Sequence, residues 1–151
     1  PTIVVRPGKP NKAASSFASS VVREPLQGVS YDCPVPPGTG VWVLSPRQVV
    51  ESFLHAERLP ADAWGFHRAL ALPGLTTTVQ EIVDAMREIG GQHVIDRIAW
   101  KPDPAIQGIV DTWPIRFNPA RGLALGFEAD PSIRRVIEEF VRDELGGQVS
   151  G

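Results

Sequence analysis

The stretch TIVVRPGKPN, residues 2–11, decides how the rest of the chain is read. Thr2, Ile3, Val4 and Val5 are all β-branched, stiff at χ1 and suited to a pleated surface. Such a run has the composition of a strand buried on both faces, which belongs inside a parallel sheet with neighbours on either side. Only Pro1 precedes it, so its partners within this chain must come from later segments. The loop that leaves its carboxyl end occupies the place where open α/β sheets bind ligands.

That loop carries matching chemistry. Gly8 permits close backbone approach, and Lys9, Asn11, Lys12, Ser15 and Ser16 offer donors to an anionic or polyhydroxylated ligand. A helix beginning near Ala13 would add its partial positive charge. The competing reading is that the lysines are solvated loop residues and the serines lie on the surface. The residues by themselves leave both open.

Outward from the loop, helix boundaries follow from one repeated device. Ser45-Pro46, Asp103-Pro104, Asn118-Pro119 and Asp130-Pro131 each place a side-chain acceptor before a proline, an N-cap followed by a residue whose missing N–H costs nothing. Thr78 and Glu81 form a capping box. These starts, with stops at Gly90-Gly91, Gly126 and Gly146-Gly147, predict helices over 46–59, 79–89, 104–112, 119–125 and 131–145. An earlier helix over 13–24 puts Phe17, Val21 and Val22 on one face, with serines 15, 16, 19 and 20 spread around it. Strands are expected at 2–6, 41–44 and 67–72, with weaker ones near 30–33 and 97–101. Alternation of strands and helices gives an α/β fold with a parallel component, and the last third reads as helical. Three or four such strands make an incomplete sheet.

Composition narrows the function. A chain of 151 residues forms one domain, burying roughly 70% of its unfolded surface. Fifteen basic against 17 acidic residues leave a net charge of −2, so no nucleic-acid partner is expected. No apolar run of ~18 residues and no export leader are present, which predicts a cytoplasmic protein with no membrane partner. Cys33 is the sole cysteine and reads as structural. His55, His67 and His93 lie far apart, so no metal site is expected. Trp42, Trp64, Trp100 and Trp113 read as packing residues, Asp103, Asp111 and Asp130 as caps or surface charges, and the charges of the last helix as its solvated face. Glycine-rich dinucleotide loop, Walker loop, nucleophile elbow and paired nucleophile and base are all lacking.

Four segments carry a family resemblance. TIVVRPGKPN resembles the strand and loop that follow the Tyr-x-x-x-Lys helix of extended short-chain dehydrogenases/reductases, the NAD-dependent epimerase/dehydratase family. VWVLSPRQVVESFLHAERL is similar to that family's short strand and capped helix, and ALALPGLTTTVQEIVDAMREIGG to its strand, capped turn and helix. RFNPARGLALGF resembles its late motif, a short helix ending in Leu-Gly-aromatic. The match covers essentially the whole chain.

The resemblance implies a partial Rossmann-like fold: the last strands of the NAD-binding sheet plus a mostly helical substrate-binding part. It further implies that the family's N-terminal half, with the dinucleotide loop and the catalytic Tyr-x-x-x-Lys pair, is absent, so no catalytic residue is expected here. Pro7, Gly8 and Lys9 fall where the family's backbone approaches the nicotinamide of NAD, or of NADP as the alternative. Lys9 departs from a substrate-contacting Asn of the family and suits a carboxylate, hence a small sugar acid. Asn11, Lys12, Ser15 and Ser16 would line the same pocket, and Arg116 falls near the substrate. Ser45 stands where relatives often have Asp, although a helix cap is the stronger explanation.

Three readings follow. The first is the substrate-binding fragment of an NAD-dependent oxidoreductase acting on a small sugar acid, inactive alone. The second is a fragment of a nucleotide-sugar epimerase or dehydratase. The third is a stand-alone, non-catalytic ligand-binding or regulatory module, whose unpaired strand a second copy of the chain would cover as a homo-oligomer.

Overall fold

The computed structural model describes residues 1–9, 11 and 13–151. Its larger sheet is organised around Gly40–Leu44 (β3), whose residues from Val41 to Leu44 are all buried. Thr2–Ile3 (β1) pairs parallel with β3 on one side, Thr2 opposite Val43 and Ile3 opposite Leu44. Leu75–Thr78 (β4) pairs antiparallel on the other. A second sheet joins Tyr31–Cys33 (β2) to Ile98–Trp100 (β5) in parallel. The α/β class and the parallel component are as the sequence predicts.

Two strand expectations are corrected. The strand expected at 67–72 is absent, and β4 begins at Leu75 instead. The Arg121 guanidinium takes the carbonyls of Trp64 (2.7 Å), His67 (2.5 Å) and Ala69 (2.8 Å), so this segment's acceptors go to a side chain and not to a ladder. The first strand is also shorter than 2–6. Val4 N–H still donates to the Leu44 carbonyl (3.0 Å), but the Arg6 peptide groups turn to a helix.

That helix is Phe17–Leu26 (α1), entered through a tight turn at Ala14–Ser16. Every residue of α1 is buried, packed against β2 and two later helices, Val79–Gly90 (α3) and Gln92–Ile95 (α4). The serines therefore do not spread toward solvent: Ser19 and Ser20 are 2% and 1% exposed. A buried hydroxyl needs partners. Ser19 Oγ accepts from Arg6 N–H and lies 3.4 Å from the Ile3 carbonyl, and Ser20 Oγ accepts from Arg23.

Most helix starts follow the caps. Ser45 caps Pro46–Arg58 (α2) by accepting from Gln48 N–H, and Asp103 caps Pro104–Val110 (α5) by accepting from Ala105 N–H. The Thr78–Glu81 box is complete, each side chain accepting from the other's backbone N–H. Asn118 accepts from Ala120 N–H at the start of Ala120–Ala124 (α6). Asp130 departs from its expected role. Ser132 caps the last helix, Ile133–Glu144 (α7), and Asp130 turns to Ser45 instead. One carboxylate oxygen accepts from Ser45 N–H (2.7 Å), the other from Ser45 Oγ–H (2.6 Å). Asp130 is 5% exposed, and charge-assisted bonds of this kind are about twice as strong as neutral ones. The tie fastens the entry of α7 to the end of β3. From there α7 lays Val136, Ile137, Phe140 and Val141 into the core beside α3, while its charged residues pair outward, Arg134 with Glu88 and Glu138, Arg135 with Glu139.

Two outcomes are expected. Asp130→Ala strands two buried donors on Ser45 and should lower the unfolding free energy by about 2–3 kcal/mol, with an unchanged denaturant slope in urea titrations. Hydrogen bonds from Thr78 N–H and then the Thr77 hydroxyl hold the Glu81 carboxyl below its ordinary 4.5. Its stabilisation is thus full above that value and lost as pH falls through the folded one. Thermal melts of Glu81→Gln should show a flatter acid limb below pH ~4.5, by a small amount because the group is largely solvated.

Candidate active-site cavity

Where β1 ends, the backbone of Arg6 is held at both of its polar groups. Its N–H donates to Ser19 Oγ (3.2 Å), and its carbonyl accepts from Arg23 Nη1 (2.7 Å). Ser19 and Arg23 are four residues apart, one turn of α1, and so lie on the same face. From this hold the chain runs outward through Pro7, Gly8 and Lys9, all exposed. Gly8 has φ +89°, a conformation that L side chains rarely adopt, and open space surrounds the position its Cβ would take.

The loop closes over a cavity of about 140 Å³. Four residues of the expected site line it: Pro7, Lys9, Asn11 and Ser16. The remainder of its wall is Arg6, Ser19 and Arg23, which the loop's own composition did not single out. No local signal marked them, since Ser19 and Arg23 lie away from the Phe17–Val21 face and are buried only because every face of α1 is covered. Ser15 lies on the other side, in an open groove of about 380 Å³ with Thr2, Ile3, Arg6 and Trp113. Arg6 borders both spaces, so they adjoin. Arg116 is exposed and lines neither, carried between Ile115, which sits over Gly40, and Phe117, which stacks on Trp42 at 3.8 Å between centroids. Lys12 lies outside the described residues.

Asn11 has an internal task. Its side-chain oxygen accepts from Ala13 N–H (3.0 Å) and from the Ser16 hydroxyl, so it folds the turn that leads into α1. The Ser45 hydroxyl, a helix cap committed to Asp130 and Gln48, is likewise occupied.

Electrostatically the cavity is cationic. Arg6, Lys9 and Arg23 line it and no carboxylate does. Arg23 is paired with Glu24, 2.7 Å away, so among the described residues Arg6 and Lys9 are the lining charges with no ion pair. A wall whose charged groups are all cations suits a carboxylate or phosphate. The volume admits a small anionic head group, well short of the 300–1,000 Å³ typical of larger ligands. Elsewhere Cys33 is fully buried, its thiol pushed up by burial, which fits an inert packing role. Among the described residues no cluster of His, Cys, Asp or Glu gathers as metal ligands, and no helix is long and apolar enough to cross a membrane.

Replacing Gly8 tests the loop's geometry. Gly8→Ala meets no atom, so its cost is conformational, about 1–2 kcal/mol for a residue forced to positive φ. Urea denaturation should show that loss, and a structure of the variant should show the loop rebuilt toward negative φ.

No family model matches the chain. Known proteins do. It is 46% identical over 143 residues to a D-erythronate dehydrogenase of Cupriavidus necator, covering 95% of this chain and 44% of that protein. A D-erythronate dehydrogenase of Haemophilus influenzae is 40% identical over 145 residues, covering 96% and 46%. The chain thus spans less than half the length of either relative. Among solved structures, the nucleoside-diphosphate-sugar epimerase of Agrobacterium tumefaciens superimposes with a TM-score of 0.95 at 38% identity, over 99% of this chain and 44% of that one. Nearly the whole chain is thus homologous to a part of the D-erythronate dehydrogenases and shares its fold with a part of a nucleotide-sugar epimerase.

Proposed function

We infer that the chain is the substrate-binding portion of a nicotinamide-dependent dehydrogenase whose substrate is a small sugar acid such as D-erythronate. The observation that carries this reading is the small cavity beyond β1, walled by Arg6, Lys9 and Arg23 with no carboxylate among its lining residues. A four-carbon sugar acid offers one carboxylate and several hydroxyls, which matches two free cations beside Ser16 and Ser19. Two relatives named for that activity support it.

The chain's own residues would bind and orient. Lys9 and Arg6 hold the carboxylate, and Ser16 meets a hydroxyl, fixing which carbon faces the open groove. Gly8 has room on its exposed face, and together with Pro7 and the Lys9 backbone it can accept a flat ring at that point, so the segment fits a nicotinamide. When bound, that ring supplies the hydride acceptor. NAD is preferred over NADP in this reading. The proton of the substrate hydroxyl would leave to a tyrosine outside this chain, within the portion of the relatives that the chain does not span. The chain alone is therefore not a complete enzyme.

The epimerase solved from Agrobacterium favours a second reading, a nucleotide-sugar substrate. A cavity of about 140 Å³ cannot enclose a nucleotide diphosphate, though the adjoining groove of about 380 Å³ could take part of one.

The deciding assay uses the full-length polypeptide that carries this chain. Reduced cofactor should form with D-erythronate and NAD, should not form when a UDP-sugar replaces the acid, and should not form from the 151 residues alone. Lys9→Ala should raise KM for D-erythronate about tenfold, roughly 1.4 kcal/mol of binding, with kcat little changed. Turnover of UDP-sugars with none of D-erythronate would replace the first reading by the second.

A further inference from the structure

The buried ion pair of α1 has no evident role in stability. Arg23 is 3% exposed and Glu24 8%, and their side chains meet at 2.7 Å. Taking two charges out of water costs more than their attraction commonly returns, and apolar residues of similar volume often do as well. The pair here is also incompletely satisfied: Glu24 Oε2 is buried with no hydrogen-bond partner among the described residues. An arrangement serving stability alone would not leave that atom bare.

What the pair provides is a directed grip. The Arg23 fork is spent in three directions, Nη1 on the Arg6 carbonyl, Nη2 on Ser20 Oγ (3.0 Å) and on Glu24 Oε1. Its charge is matched and its terminal nitrogens are engaged, so it is poorly placed to bind the ligand itself. It holds the carbonyl of Arg6, while Ser19 holds the N–H of the same residue. Both backbone polar groups of one residue are thus fixed to the helix, immediately before the segment that carries Lys9. An apolar residue would fill Arg23's space and could not hold a carbonyl. A lysine offers a single ammonium in place of the planar fork.

We propose that Arg23, with Glu24 as its counter-ion, is a positioning residue that fixes the course of the Arg6–Lys9 segment and so sets the affinity of the cavity for its anionic ligand. Its effect runs through the Arg6 backbone, and no bond from Arg23 to the substrate is required.

The kinetic half of the test rests on the sugar-acid reading; the hydrogen-exchange half does not. In the full-length polypeptide, the double variant Arg23→Met/Glu24→Met removes both charges together and keeps the volume filled. Exchange of the Arg6 amide, which donates to Ser19 Oγ, should quicken at least tenfold, while α3 and α7 keep their protection. KM for D-erythronate should rise at least tenfold with kcat within twofold, and Arg23→Lys should fall between. Unchanged exchange in this segment and unchanged KM in the folded double variant would overturn the proposal. So would loss of protection throughout the fold in both variants, because the pair would then be holding the core. Should the unmodified protein leave D-erythronate untouched, the functional reading fails, and the exchange result alone decides whether the grip exists.

Discussion

The structure depends on a helix that has no solvent face. Every residue of α1 is buried, so its polar groups look for partners within the protein, and among the described residues Glu24 Oε2 alone of its buried side-chain atoms finds none. The answers come from three parts of the chain. The end of β1 meets Ser19 and Arg23; the Arg97 guanidinium meets the Pro25 carbonyl; and Ser150 N–H meets the Leu26 carbonyl. The last two satisfy carbonyls that any helix leaves open at its carboxyl end. The first gives the candidate site its floor. The cavity therefore arises where the helix's buried polar face requires the preceding loop to come back to it.

The same arrangement bears on specificity. Relatives and fold neighbours are named for substrates of very different size, a four-carbon acid and a nucleotide sugar. A shared scaffold does not choose between them, because function resides in the site carried by the fold. Under the proposed reading the choice is made by charge and space. Arg6 and Lys9 have no carboxylate among the described residues of the wall, and the pocket, open to solvent on one side, is about the size of a small acid's head group.

Much of this was legible in the residues, for reasons that can be named. Caps at Ser45, Thr78 and Asp103 depend on local geometry, and the structure places each where its pattern directs. The β-branched run at the start is less enclosed than its composition suggests, since β1 lies at the sheet edge with Ile3 exposed and only Val4 and Val5 reach the core. The loop after it does border a cavity. What escaped was long-range. Asp130 has the local look of a cap, and only the fold brings it to Ser45, 85 residues away. The strand expected at 67–72 failed because a guanidinium 52 or more residues distant took its carbonyls. Arg23 and Glu24 carry no local mark of burial, and only the fold shows that both are enclosed. The serines of α1 misled for the same reason, since hydroxyls report polarity and not exposure.

The covering of α1 has a further bearing, on the order in which the chain can mature. The helix ends at Leu26, whereas its coverings α3 and α4 begin at Val79 and Gln92, and its last carbonyl waits for Ser150. A ribosome adds about 5–20 residues per second, so this helix leaves the tunnel seconds before α3 and α4 exist to cover it. During that interval Phe17, Val21, Val22 and Leu26 lack those two coverings. Contacts so far apart in sequence also slow the search for the native arrangement. The feature that gives the finished protein its binding cavity is thus the one that leaves the nascent protein most in need of a chaperone.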